Sequence, residues 1–175
     1  PSTSGTRDAL KELVLEAGCK TNPEMAALKE TDEDRYKQIC TEVRDDGAYV
    51  DQGEQDNLIV QKIEGNPNAI GVFGYSYLEE NAGKLKGLTM NGVTPTYATI
   101  SDFSYPGARP LYIYVKAAHL TAIKGLKEFV GEWPKAWGPD GVLKGKGMVI
   151  APDDVRATNA EIATKMTLLD PASLK

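Results

Sequence analysis

The sequence predicts an α/β fold, in which helices alternate with short strands around a mixed or largely parallel sheet. Segments with an apolar residue at every third or fourth position alternate with short runs rich in β-branched and aromatic residues, and Gly, Pro and Asn separate them. The 41% hydrophobic and 26% charged fractions are those of an ordinary globular protein. No apolar run approaches the roughly 18 residues that a membrane span needs, so no transmembrane helix is predicted.

The first predicted helix begins just after Ser4 and ends near Ala17, because Leu10, Leu13 and Val14 fall on one apolar stripe of a helix. Thr31 precedes the acidic run 32–34 and is the predicted N-cap of a second clear helix. Further helices complete the helical part of the fold. The predicted ranges after the first helix are 23–28, 32–44, 55–64, 77–82, 118–130 and 154–168.

Short β-prone runs supply the predicted strands. They cover residues 49–50, 69–73, 87–90 and 111–115. The last of them follows Tyr105-Pro106-Gly107-Ala108-Arg109-Pro110, which is the densest cluster of turn-forming residues in the chain. This cluster predicts a boundary between a first part, residues 1–103, and a second part, residues 104–175.

Charge and composition exclude several classes of function. The net charge of −5 argues against a nucleic-acid-binding surface, which is normally basic. The one histidine, His119, excludes a His-rich metal site, and we predict a structural role for it. The chain has no Gly-x-Ser-x-Gly motif, no Cys–His pair in catalytic spacing and no His-Glu-x-x-His motif. The sequence therefore predicts neither an enzyme nor a bound cofactor.

The tripeptide Ser4-Gly5-Thr6 stands at the predicted start of the first helix. The first amides of a helix have no intrahelical acceptor, and the helix dipole adds positive potential there. Gly5 allows close approach to the backbone, the two hydroxyls are donors, and the guanidinium of Arg7 suits an oxyanion. Asp8 is the predicted partner that holds Arg7. These features describe a phosphate or sulfate site, although Ser and Thr in this position are also ordinary helix caps.

Four segments in order resemble one known family. They are Ser4-Gly5-Thr6, the segment Gly53–Asn57, the segment Asn68–Tyr75 and the segment Tyr105–Tyr114. At these spacings the chain resembles the substrate-binding proteins of ABC-type phosphate importers, the periplasmic phosphate-binding protein family. The resemblance extends over essentially all 175 residues. It implies a two-lobed, type II periplasmic-binding-protein-like fold with phosphate held between the lobes.

The resemblance also implies how the chain divides. Residues 1–103 correspond to the whole second ligand-binding lobe, and residues 104–175 to the C-terminal part of the first lobe. The N-terminal part of that first lobe is then missing from this chain, which opens at Pro1 without an initiator Met or a signal peptide. Ser4, Gly5 and Thr6 are the implied phosphate contacts of the second lobe, with Arg7 a contact or close neighbour.

A protein of this family delivers phosphate to a membrane ABC permease, so the resemblance implies a periplasmic, secreted or cell-surface location. That compartment is oxidising. We therefore expect Cys19 and Cys40, on neighbouring predicted helices, to form a disulfide, the alternative being two buried thiols. Other open alternatives are a receptor for sulfate or molybdate, a phosphate-handling enzyme that uses the Ser-Gly-Thr helix start, and a sensor or scavenger without a permease.

Overall fold

The computed structural model of the protein describes residues 4–53 and 55–173. Backbone contacts divide the chain into two compact units, Pro1–Leu88 and Thr89–Lys175. The assignment of residues 1–103 and 104–175 to two lobes stays a prediction. Glu54, within the second of the four motif segments, and the opening residues Pro1 to Thr3 lie outside the described residues.

The first unit begins with the predicted first helix. Helix α1 (Gly5–Leu10) runs on into a π-helical segment, Lys11–Glu16, and then into α2 (Ala17–Cys19). We call these three consecutive segments the N-terminal helix. Its start just after Ser4 is confirmed, and it extends two residues beyond the predicted end at Ala17.

Helices α3 (Pro23–Thr31) and α4 (Glu33–Cys40) pack against each other. Asn22 caps α3 by accepting a hydrogen bond from the amide of Glu24 at 2.9 Å. The cap of α4 is Asp32 and not the predicted Thr31, because the Asp32 carboxylate accepts from the Arg35 amide at 2.9 Å. Tyr36 and Cys40, one turn apart on α4, are 0% and 4% exposed and form the core of this helix pair.

The rest of the first unit consists of α5 (Asp56–Glu64) and α6 (Tyr75–Glu80), which contact each other. Val60 is the buried residue of α5. Gly71 lies against this helix so closely that a Cβ atom at Gly71 would be 2.2 Å from Cδ1 of Ile63. The absence of a side chain at Gly71 therefore lets the connecting segment approach the apolar face of α5.

The second unit begins with a tight turn at Asn91-Gly92, a residue pair that is typical of such turns. An antiparallel bridge joins Met90 to Val93, and α7 (Tyr97–Ser101) follows. Thr96 and Thr99 form a reciprocal capping box at the start of α7. Both ends of α7 are fastened to one distant residue, since the Ile150 amide donates to the Tyr97 hydroxyl at 3.1 Å and the Ser101 hydroxyl donates to the Ile150 carbonyl at 2.6 Å.

The predicted helix over 118–130 is two helices, α8 (His119–Ala122) and α9 (Leu126–Ala136). Gly125, with φ of 83°, separates them because it adopts the left-handed region that other residues disfavour. Helix α9 packs against α10 (Asp153–Lys165), whose Ala163 is buried. Two 3₁₀ turns, Lys144–Lys146 and Pro171–Ser173, complete the described elements of this unit.

The α/β prediction is wrong for the residues that the structure describes. Residues 4–53 and 55–173 contain helices and the isolated Met90–Val93 bridge, but no strand and no sheet. The β-prone runs 69–73 and 111–115 lie in irregular backbone. Such side chains favour a strand only where neighbouring backbone supplies hydrogen-bond partners, and no described segment pairs with either run. No described helix has both the length and the apolar character that crossing a bilayer requires.

Gly141 closes a tight turn over the end of α9. The amide of Gly141 donates to the Gly138 carbonyl at 2.9 Å, and the amide of Leu143 donates to the Ala136 carbonyl at 3.1 Å. A Cβ atom at Gly141 would lie 2.2 Å from that Ala136 carbonyl oxygen, which is backbone and cannot rotate away.

Gly141→Ala is therefore expected to lower the free energy of unfolding by about 1–3 kcal/mol, the usual cost of adding a methyl group where there is no room for it. Chemical denaturation followed by circular dichroism measures the change. Gly145→Ala is the matched control, because a Cβ atom there meets nothing within 4 Å. Equal stabilities of the two variants would contradict the steric explanation.

Candidate functional site

The candidate site lies at the start of the N-terminal helix. Ser4 is the N-cap, with an extended backbone (φ −78°, ψ 120°), and Gly5 is the first helical residue. Gly5 is exposed, whereas Ser4, Thr6 and Arg7 are half-buried. The positive end of the helix dipole and the first helical amides therefore face a surface that a small anion can reach.

Two of the amides at this end have no acceptor among the described residues. The Arg7 amide donates to the Ser4 hydroxyl oxygen at 3.4 Å, and the Asp8 amide donates to the Ser4 carbonyl at 3.1 Å. No hydrogen bond joins the amides of Gly5 and Thr6 to another described residue. Ser4 thus acts as a helix cap, while the two following amides have no acceptor in the part of the chain that the structure describes.

The Arg7 side chain contacts Asp51 and not the predicted partner Asp8. Its Nη1 lies 3.8 Å from Oδ2 of Asp51, and the described residues show no ion pair between Arg7 and Asp8. The Nε atom of Arg7 is buried and has no hydrogen-bond partner within the described part of the chain. A buried donor without an acceptor costs free energy, so this guanidinium is only partly satisfied by the protein.

Asp51 is held in place by its own turn. Its Oδ1 accepts a hydrogen bond from the Gly53 amide at 2.7 Å, and Gly53 takes a positive φ of 69°. The hydrogen bond from the Gly53 amide lowers the pKa of the Asp51 carboxyl group, and the positive charge of Arg7 is a smaller contribution in the same direction. Asp51 is consequently ionised at neutral pH. The Asp-x-Gly pattern was a visible signal for the turn, but nothing in the sequence placed that turn beside Arg7.

The arrangement suits binding of an oxyanion. Two amides, the hydroxyl groups of Ser4 and Thr6 and one guanidinium are hydrogen-bond donors of the kind that phosphate and sulfate accept. The described residues contain no cluster of three or more His, Cys, Asp or Glu side chains that could hold a metal ion.

The second motif segment leads directly into a helix of the same unit. Asp56 is the first residue of α5, one residue later than predicted. Partial burial raises the pKa of its carboxyl group, because water solvates the charged form less well there. The third motif segment, Asn68–Tyr75, passes Gly71 and ends at the first residue of α6. Both segments therefore contact or enter α5.

The structure joins Cys19, the last residue of α2, to Cys40, the last residue of α4. Their Cα atoms are 5.6 Å apart, within the usual range for a disulfide. The far end of the N-terminal helix is in this way linked to α4.

Comparison with known proteins gives several relatives. The chain is similar to the phosphate-binding protein PstS of Staphylococcus saprophyticus, with 40% identity over 101 residues, or 54% of this chain and 32% of that protein. It is 43% identical to PstS of Staphylococcus haemolyticus over 79 residues, or 42% of this chain and 25% of that protein. It is 46% identical to protein SphX of Synechococcus elongatus over 68 residues, or 35% of this chain and 20% of that protein.

The chain thus spans a third or less of the length of these curated relatives. No solved structure gives a significant match. The model of the PBP superfamily domain matches residues 1–133, which include the Ser4-Gly5-Thr6 helix start and well over half of the sequence. The chain therefore belongs to the PBP superfamily.

Proposed function

We propose that the chain is part of a receptor that binds inorganic phosphate and delivers it to a membrane ABC permease, without catalysing a reaction. Family membership and two relatives named phosphate-binding protein support this proposal. The observation that carries it is the start of the N-terminal helix, where no described residue accepts a hydrogen bond from the amides of Gly5 and Thr6.

In the proposed complex, phosphate oxygens accept hydrogen bonds from the amides of Gly5 and Thr6. The Ser4 and Thr6 hydroxyl groups and the Arg7 guanidinium donate to the remaining oxygens. Each group is a donor, so each favours the anion over water in the same position. The Ser4 hydroxyl can donate to phosphate while its oxygen still accepts from the Arg7 amide, because a hydroxyl group both donates and accepts.

We further propose that this site is half of the complete binding site. On this proposal residues 1–103 form the second ligand-binding lobe, residues 104–175 belong to the first lobe, and a further segment of the same protein completes that first lobe. The greater length of the relatives supports it. So does the exposure of the β-prone run 111–114, in which Leu111 is 81% and Tyr112 69% exposed, because such a surface is normally covered.

We propose a periplasmic, secreted or cell-surface location for this receptor. Disulfides persist in oxidising compartments, so the Cys19–Cys40 pairing supports a location outside the cytoplasm. A phosphate sensor or scavenger would occupy the same compartment, and loss of phosphate uptake on deletion of this receptor distinguishes the transport role.

Phosphate titration into the ¹⁵N-labelled 175-residue chain, followed by NMR, tests the proposed function. We expect saturable amide shifts at Gly5 and Thr6. The dissociation constant should be larger than that of a complete receptor, because one lobe supplies only part of the hydrogen-bond donors to phosphate. Sulfate and molybdate at equal ionic strength are the comparison ligands. Equal shifts with sulfate would indicate a general oxyanion receptor, and no saturable shift at these amides with any of the three anions would contradict the proposal.

A further inference from the structure

The ion pair at the candidate site points to a role for a residue outside the helix start. We infer that Asp51 is a positioning residue for Arg7 in anion binding, an inference that rests on the function proposed above. Asp51 lies on the turn before α5, far along the chain from Arg7, and its Oδ2 is 3.8 Å from Nη1 of Arg7. No other ion pair of Arg7 is present among the described residues.

The geometry of Asp51 suits orientation of the guanidinium without saturating it. At 3.8 Å the contact is electrostatic and too long for a hydrogen bond, so the N–H donors of Nη1 stay available to an oxyanion. The Asp51 carboxylate cannot easily follow the guanidinium, because its other oxygen is bonded to the Gly53 amide at 2.7 Å. Arginine loses much rotational freedom when it is ordered, so a fixed carboxylate that orders it in advance favours ligand binding.

The small contribution that this ion pair makes to stability also favours a role in positioning Arg7. The side chains of Arg7 and Asp51 are 27% and 41% exposed, and ion pairs this exposed contribute little to the folded state. Removal of the carboxylate should therefore leave the fold intact while it changes phosphate affinity.

Two effects of removing the Asp51 charge oppose each other. Loss of the carboxylate frees Arg7 to rotate, which weakens phosphate binding, but it also removes a negative charge near an anion, which strengthens binding. The second effect is electrostatic and is largely screened at an ionic strength of about 1 M, where the Debye length falls to about 3 Å. The loss of orientation is not screened in this way, so the net effect at that ionic strength is weaker binding.

Asp51→Asn is the first test, because asparagine keeps an oxygen that accepts from Gly53 and replaces the charged oxygen that faces Arg7 by a neutral NH2 group. We expect its dissociation constant for phosphate, measured from the Gly5 amide shift, to rise roughly three- to fivefold. Asp51→Glu, which keeps the charge, should bind more tightly than Asp51→Asn. Asp46→Asn is the matched control, because the Asp46 carboxylate accepts from the Ala48 amide in the same kind of turn but pairs with Arg44. This variant should bind phosphate as the wild type does.

Arg7→Gln supplies the readout that a purely structural role would not change. If Asp51 acts through Arg7, adding Asp51→Asn to Arg7→Gln should produce no further loss of affinity. If the wild-type chain binds phosphate and Asp51→Asn binds it with the same affinity, this inference is overturned but the proposed function is not. Equal losses in Asp51→Asn and Asp51→Glu, or full additivity with Arg7→Gln, would also overturn the inference. A wild-type chain that binds no phosphate would overturn both the inference and the proposed function.

Discussion

Replacement of Thr6 by valine is expected to weaken phosphate binding at least about tenfold without lowering the free energy of unfolding. The Thr6 hydroxyl makes no hydrogen bond to another described residue, so its loss breaks no hydrogen bond within the described part of the chain. A hydrogen bond to a charged group contributes roughly 1.5–3 kcal/mol, and about 1.4 kcal/mol corresponds to a tenfold change in affinity. Valine has nearly the volume of threonine, so the half-buried position stays filled.

The same phosphate titration measures this effect, with the Gly5 amide shift as the signal and chemical denaturation as the check on folding. Thr31→Val is the matched control. Thr31 is the last residue of α3, in the same unit as Thr6. Its hydroxyl group is exposed and donates to the Ala27 carbonyl at 3.1 Å, away from the start of the N-terminal helix. If Thr6→Val and Thr31→Val bind phosphate equally well, Ser4-Gly5-Thr6 is a helix cap and no more.

The start of the N-terminal helix could be predicted because its signals are local. Ser4 is a good cap, Gly5 follows it, and the apolar stripe from Leu10 onward indicates a helix. The error at α4 has a local cause as well, since Thr31 and Asp32 are both good caps and only the structure shows which one accepts the bond. Asp51 could not be assigned to the site in this way. Its contact with Arg7 joins two residues 44 positions apart (51 − 7), and no local pattern specifies such a pairing.

The strands show the limit of local signals more clearly. The run 111–115 has strong β propensity, yet Leu111 and Tyr112 are largely exposed and the run pairs with no described segment. A helix makes its backbone hydrogen bonds within one segment. A strand makes them to a second segment, and the sequence of the strand does not indicate which segment that is. The helices could therefore be predicted from the residues that form them, and the sheet could not.

Removal of the Cys19–Cys40 disulfide is expected to lower the free energy of unfolding by about 3 kcal/mol, the value that the chain-entropy model gives for a loop of this size. The two residues are 21 positions apart and link the end of the N-terminal helix to the end of α4. Without the bridge the unfolded chain gains conformations that the disulfide forbids. Urea denaturation of the Cys19→Ala/Cys40→Ala variant measures the loss, and alanine avoids placing a polar group at the buried Cys40 position.

Reduction of the wild-type chain supplies the control for this effect. The reduced protein keeps the Cys40 sulfur atom in the core but lacks the cross-link. The difference in free energy of unfolding between oxidised and reduced wild type therefore measures the effect of the cross-link without the loss of packing that alanine causes. We expect most of the 3 kcal/mol to appear in that difference. Two equivalents of free thiol in the unfolded, unreduced protein would contradict the pairing. Phosphate affinity should change far less than stability, because the bridge lies at the end of the N-terminal helix opposite to Gly5.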